Sequence, residues 1–191
     1  MKRKILKLVK KNKITCLVIS LSIILFCSFF FMKGTYGRFS NSGKSNVIGG
    51  IAFYVIDLNT STTEIKLENL APSNVPYVYD ISVSNFNKEK QLETKAEYQI
   101  IVRTTTNLNL EYKLYKEGSD ENLFISDEIT QDKDGTYYRI MKTDKELFGF
   151  TKKVTNDYKF SILFPEQYND YNYQDILESI EIIVRSSQVI D

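Results

Sequence analysis

Residues 14–32 form a stretch of 19 residues without a charged side chain. As a helix rising about 1.5 Å per residue, the stretch would be roughly 28 Å long, which matches the hydrocarbon core of a bilayer. The 13 residues before it contain seven lysine or arginine side chains and no acidic one. Because basic flanks are retained in the cytoplasm, we expect the chain beyond Lys33 to be exported.

Two fates of this hydrophobic segment stay open, removal as a signal peptide and retention as a membrane anchor. A secretory signal usually has an apolar core of about 7–15 residues, and this one is longer. The best processing site follows Gly37, because Thr35 and Gly37 place small residues third and first before the cut. Cleavage there would make Arg38 the new N-terminus.

The cysteines and the charges divide at the same place. Both cysteines, Cys16 and Cys27, lie inside the hydrophobic segment, so the exported part has no thiol and depends on its core for stability. Residues 1–37 contain eight basic and no acidic side chains, whereas residues 38–191 contain 17 basic and 24 acidic ones. An acidic exported domain is a poor partner for the phosphates of nucleic acids.

Histidine is absent from the chain. Its absence excludes Ser-His-Asp and Cys-His catalysis and the HExxH zinc site of metalloproteases. Any catalysis would depend on carboxylates, lysines or tyrosines, whose unperturbed pKa values lie far from neutrality. We therefore predict a protein without enzymatic activity, cofactor or metal site.

Beyond residue 38 the dominant hydrophobic period is two, which is typical of half-buried strands. No long period of 3.6 occurs, and residues 144–150 and 175–179 are predicted to form single helical turns at most. The pattern predicts an all-β fold, an antiparallel two-sheet sandwich of jelly-roll or immunoglobulin-like type, preceded by one N-terminal hydrophobic helix. Its predicted strands are residues 51–58, 64–70, 77–85, 98–104, 110–116, 136–142, 158–164 and 180–186.

We divide the chain into three parts on this basis. Residues 1–37 are the basic leader with its signal or anchor segment, residues 38–50 a flexible arm, and residues 51–191 the sandwich domain. The arm is polar and contains glycines, and two interpretations of it stay open. It is either a strand that gains its hydrogen bonds from the open edge of a neighbour or a disordered spacer.

The acidic loops raise the question of a calcium site. Residues 130–135 resemble the front half of an EF-hand loop, but Met141 stands where the bidentate glutamate belongs, so a hairpin turn is favoured. A site assembled from scattered loop carboxylates such as Asp127, Glu128 and Asp132 stays open.

Paired carboxylates and clustered tyrosines are the other candidates. Two carboxylates can hydrolyse a glycosidic bond only if they lie about 5–10 Å apart across a cleft. A solvated strand face explains the acidic residues better, and the tyrosines of 168–173 are expected to fold over an edge of the sandwich. The candidate carboxylates are Asp57, Glu64, Asp80 and Glu97.

Several short motifs resemble those of one known family. They are GTYGRFS at 34–40, the glycine pair before the strand that ends at 55–58, IKLENLAP at 65–72, the strand 77–85 and, near the end, IEIIV at 180–184 with a trailing Gln188. Together these motifs resemble TasA/camelysin-type proteins over about fifty residues of the N-terminal part and fifteen of the C-terminal part.

The resemblance implies a secreted jelly-roll protein of the cell surface that forms extracellular fibres in a biofilm matrix. It implies processing by a SipW-type signal peptidase and self-association through the mature N-terminal segment, which pairs with the sheet of the next subunit. It also implies which residues take part in assembly. These are Arg38, Phe39, Ser40, Val47 and Ile48. Some family members are classed as metalloproteases, but the lack of histidine removes that activity here.

Three functions follow as hypotheses. The first is a non-enzymatic, exported subunit or accessory of a surface or matrix fibre that assembles through residues 38–50. The second is an extracellular binding module that residues 14–32 anchor in the membrane and whose loop tyrosines bind a protein or glycan. The third is a carboxylate glycosidase, which requires two facing acids in a cleft.

N-terminal sequencing of the native protein separates the first two hypotheses. If the segment is a signal peptide, the mature chain begins at or near Arg38, because small residues precede that position. An intact Met1 would show that the segment is retained and would favour the anchored module.

Overall fold

The computed structural model describes residues 47–65, 67, 70–170, 173 and 176–190, with side chains from Gly50 onward. The hydrophobic segment 14–32 and the predicted cleavage site lie outside these residues. No helix within the described ranges has the length and apolar character needed to cross a bilayer.

Two β-sheets make up the described part of the chain, which confirms the predicted all-β class. The first sheet has the strand order β1-β3-β9-β5, and the second has the order β2-β10-β4-β7-β6, with the short β8 also paired to β4. The strands are β1 (Val47–Tyr54), β2 (Thr60–Ile65), β3 (Tyr77–Ser84), β4 (Ala96–Thr105), β5 (Glu111–Lys116), β6 (Phe124–Gln131), β7 (Tyr137–Thr143), β8 (Glu146–Phe148), β9 (Thr155–Leu163) and β10 (Ile180–Gln188).

One strand pair departs from the predicted antiparallel arrangement. β1 and β3 run parallel, from the pair Val47 and Val78 to the pair Tyr54 and Ser84. The reason is that the chain crosses to the second sheet to form β2 before it returns as β3, and only such a crossover can join two parallel strands. All the other pairings are antiparallel.

Some strand boundaries also differ from the prediction. β1 begins at Val47 rather than at residue 51, and β2 ends at Ile65 rather than at residue 70. Two strands were missed. β6 lies at a sheet edge with most of its residues exposed on both faces, so it lacks alternation, and β8 forms where we predicted a helical turn.

An apolar layer between the sheets forms the core. The predicted shared face of β3 is confirmed, because Tyr77, Tyr79, Ile81 and Val83 are all buried. They pack in one cluster with Phe160 of β9 and with the inward residues of β4 and β10. The pairings and core residues that the structure describes all lie within residues 47–190, so a chain that begins at Val47 keeps every one of them.

The strand directions define two ends of the sandwich. We call the end where β1, β3 and β5 begin the arm end, because the chain enters β1 there, and the opposite end the far end. Hydrogen bonds orient the second sheet. Tyr98, near the start of β4, bonds to Tyr158 at the far end, and Thr104 bonds to Tyr112 at 3.0 Å at the arm end.

Replacing a fully buried aromatic residue tests the importance of the core. Phe160 is 0% exposed and contacts both Tyr112 and Phe124. Because Phe160→Ala leaves a cavity between the sheets, we expect it to lower the free energy of unfolding by about 3–5 kcal/mol in urea denaturation. Ile125→Ala, at a side chain that is 69% exposed, is the control and should change it by less than about 1 kcal/mol. Equal effects of the two substitutions would contradict this core.

Candidate interaction surfaces

Two of the four candidate glycosidase carboxylates, Asp80 and Glu97, do not face each other. Asp80 alternates with buried residues of β3 and pairs with Lys159 at 2.9 Å on the outer face of the first sheet. Glu97 forms an ion pair with Lys145 on the outer face of the second sheet. Since the core separates these faces, this pair cannot bind one glycosidic bond between them.

The turn-like segment at 132–135 closes a hairpin between β6 and β7. The Asp132 N–H donates to the Thr136 carbonyl at 2.8 Å, and the Gly135 N–H donates to the Asp132 carbonyl at 3.0 Å. Gly135 has a φ of 89°, a left-handed conformation that suits glycine. The hairpin interpretation is therefore confirmed. Of the residues described, no three acidic or sulfur-containing side chains are grouped as a metal site would require.

Two of the three tyrosines of 168–173, Tyr168 and Tyr173, cover one edge of the core, as predicted, and Tyr171 lies outside the described residues. Tyr168 and Tyr173 lie against Phe164, with ring centroids 6.4 and 6.0 Å away. Tyr168 belongs to a single 3-10 turn, Glu166–Tyr168, at the arm end. The aromatic cluster therefore forms part of the wall at that end.

A cleft of about 290 Å³ opens beside these tyrosines at the arm end, and we call it the arm-end cleft. Ile129 of β6, the edge strand of the second sheet, lines it and is 66% exposed. Sequence reasoning missed this cleft because it missed β6. The lining residues are Thr105, Thr106, Leu108, Asn109, Leu110, Glu111, Tyr112, Ile129, Arg139, Pro165 and Tyr168.

An arginine ties the two walls of the arm-end cleft together. The guanidinium of Arg139 donates to both carboxylate oxygens of Asp127, at 2.8 and 2.6 Å, and to the Leu110 carbonyl at 3.0 Å. The Arg139 hydrogen bonds lower the pKa of Asp127 and the same contact raises the pKa of Arg139. Because the pair is neutral as a whole, it positions the cleft walls rather than adding charge.

A partly buried carboxylate holds the loop that forms another wall of the cleft. Glu178 accepts hydrogen bonds from the Thr104 hydroxyl at 2.7 Å and from the N–H groups of Asn107 and Leu108 at 3.1 and 2.9 Å. Burial raises its pKa, although these hydrogen bonds oppose the shift. The loop between β4 and β5 is therefore fixed to the segment before β10.

At the far end, a buried asparagine builds a second surface. The Asn85 side chain is completely buried, donates to the carbonyls of Gly149 and Lys152 at 2.8 Å each, and accepts from the Val154 N–H at 2.8 Å. We call residues 149–154 the far-end loop. These bonds hold the loop so that Phe150 is 48% exposed.

Two tyrosines in the core form a polar pair in which the pKa of each hydroxyl is raised. Tyr98 and Tyr158 share a hydrogen bond, and Asn156 donates to the Tyr98 oxygen at 2.7 Å. Burial raises the pKa of both hydroxyls. Both residues are almost fully buried, so a substrate has no access to them. The pair joins the two sheets.

The predicted assembly residues fall into two groups. Arg38, Phe39 and Ser40 lie outside the described residues. Val47 and Ile48 lie in β1, where the strand pairs with β3 of the same chain. Comparisons of the chain with protein-family models, curated proteins and solved structures gave no match.

Removing the Asn85 side chain tests whether it builds the far-end loop. Asn85→Ala deprives two carbonyls and one N–H of their partner, so we expect unfolding to become easier by about 2 kcal/mol or more. Hydrogen exchange at Val154 should accelerate, since its N–H loses its acceptor. Asn87→Ala, at an exposed turn, is the control. Unchanged exchange at Val154 would contradict the role of Asn85.

Proposed function

We propose that this chain is an exported, non-enzymatic jelly-roll subunit or accessory of a cell-surface or biofilm-matrix fibre. It is processed near Gly37 and Arg38 by a SipW-type signal peptidase, and it self-associates through the N-terminal arm. The observation that carries the proposal is the long open edge of β6. Among the strands described, β6 pairs with β7 alone, and its other backbone edge is available to a strand from a neighbour.

The length of the arm matches this edge. β1 already occupies residues from Val47 onward, so the part of the arm that precedes it is residues 38–46. Nine extended residues span about 30 Å, and the eight residues of β6 span about 27 Å. A strand formed by the arm can therefore pair along the whole of β6.

The charges of the two segments are complementary. Residues 119–134, which include β6, contain six acidic side chains and one lysine. Residues 38–46 contain Arg38 and Lys44 and no acid. Two of the six carboxylates pair with arginines of their own sheet, which still leaves an acidic edge. Opposite charges of this kind favour the correct partner and speed its association.

Deleting residues 38–46 tests the proposal without disturbing β1. We expect residues 38–191 to form long polymers at high concentration and residues 47–191 to form none, because the deleted chain lacks its donor strand. Analytical ultracentrifugation and electron microscopy measure the difference.

A third chain, with residues 38–46 replaced by a glycine-serine linker of equal length, is the control for a simple spacer. If the linker chain polymerises as well as the native sequence, the arm acts as a spacer and the proposal is wrong. A monomeric 38–191 chain at high concentration would also contradict it.

A second candidate function is a membrane-anchored binding module for a protein or glycan. The arm-end cleft favours it, because Tyr168, Arg139 and Asn109 place an aromatic ring and polar groups around one concavity. This function requires that residues 14–32 remain attached. An intact Met1 in the native protein supports it, and a start near Arg38 removes its anchor.

A further inference from the structure

We propose that the far-end loop of one copy docks into the arm-end cleft of the next copy, with Phe150 as the inserted side chain. The inference rests on the proposed function, since it describes a second contact at the same junction between subunits. It differs from arm pairing because both of its surfaces belong to the folded sandwich.

The far-end loop has the features of an inserted anchor. Asn85 holds its backbone at three points, and Gln91 donates to the Phe150 carbonyl at 2.6 Å. The exposed apolar side chains at this end are therefore presented by a fixed backbone, and little conformational freedom is lost when they are buried. Besides Phe150 they are Leu147 (60% exposed) and Val154 (38% exposed).

The arm-end cleft has the complementary shape and lining. Its volume of about 290 Å³ lies just below the range of sites for drug-sized ligands and suits one or two protein side chains. Leu108, Leu110, Ile129 and the rings of Tyr112 and Tyr168 supply apolar walls. A fixed aromatic side chain that fills a pocket of this kind is the usual centre of a protein interface.

The charges around the two surfaces are opposite. Among the described residues, the loops at the arm end contain Asp132, which pairs with Arg103, the further acids Asp134 and Glu166, and one lysine, Lys133. The far-end loop contains Lys152 and Lys153 beside Phe150, and no acidic residue. The exported part of the chain is acidic as a whole, so the basic far-end loop is distinct from its surroundings. This pattern favours contact between unlike ends of two copies.

The two surfaces lie at opposite ends of one sandwich. A contact between unlike surfaces is heterologous, and it generates an open filament unless a rotation closes it into a ring. The arm also enters the sandwich at the arm end. One junction can therefore contain both the docked loop of the next copy and the arm that extends onto that copy.

Site-directed crosslinking tests the contact directly, because residues 38–191 contain no cysteine. One chain carries Thr151→Cys, at an exposed position of the far-end loop that leaves Phe150 in place, and another carries Ile129→Cys. The two are mixed and treated with a short bis-maleimide. Docking raises the effective concentration of the two thiols, so we expect roughly tenfold more crosslinked dimer than with the control. The control is Ile125→Cys, which lies on the same strand, is similarly exposed and is nearer the far end.

Repeating the experiment with residues 47–191 separates this inference from the proposed function. A selective crosslink in both lengths supports loop docking even if the arm proves to be a spacer. Polymers of 38–191 without the selective crosslink overturn loop docking and leave arm pairing intact. If residues 38–191 form neither polymers nor the selective crosslink, both loop docking and arm pairing are wrong.

The alternative partner of the far-end loop is an anionic membrane surface. Sedimentation with vesicles of equal phosphatidylglycerol and phosphatidylcholine measures it. If the protein binds these vesicles through Lys152 and Lys153 and shows no selective crosslink, the far-end loop is a membrane-binding element and the inference is wrong.

Discussion

The described fold depends on one apolar layer. This layer lies between β3 and β9 on one side and β4 and β10 on the other. The part of the chain beyond residue 38 has no cysteine, so no disulfide restrains it. The layer is closed at the far end by the Tyr98–Tyr158 pair and at the arm end by Thr104, Tyr112 and Glu178. Polar groups at the two ends thus complete a core whose middle is apolar apart from the buried hydroxyl of Tyr79.

The same layer explains where the interaction surfaces lie. The second sheet ends at β6, which pairs with β7 alone among the strands described. This edge strand has an open backbone edge and contributes Ile129 to the arm-end cleft. The far-end loop is the counterpart at the other end, and it owes its shape to one buried side chain, Asn85. We propose that the edge of β6 binds the arm and that the arm-end cleft binds the far-end loop.

The strands with strong alternation could be predicted from sequence, and those at the edges could not. β3, β4, β9 and β10 bury one face each, and that burial imposes the period of two. β6 buries almost nothing, so its sequence has no reason to alternate. The parallel pairing of β1 with β3 depends on the crossover through β2. The local hydrophobic pattern of the sequence does not predict this crossover.

The candidate surfaces were harder to predict for a related reason. Asn85 and Gly149 are 64 residues apart in sequence, and Arg139 reaches the Leu110 carbonyl across 29 residues. Such contacts depend on the whole fold, whereas the turn at 132–135 is local and was visible in the sequence. The resemblance over short motifs implies assembly. The open edge of β6 is the site where we propose that the arm of a neighbouring copy pairs.

The central claim is that subunits join end to end with one polarity. Electron cryomicroscopy of polymers of residues 38–191 tests this most directly. The account predicts one subunit per axial repeat, with every arm end facing a far end and a repeat somewhat longer than the roughly 33 Å of the ten-residue β4. Polymers built from two-fold symmetric dimers, with arm end against arm end, would contradict it.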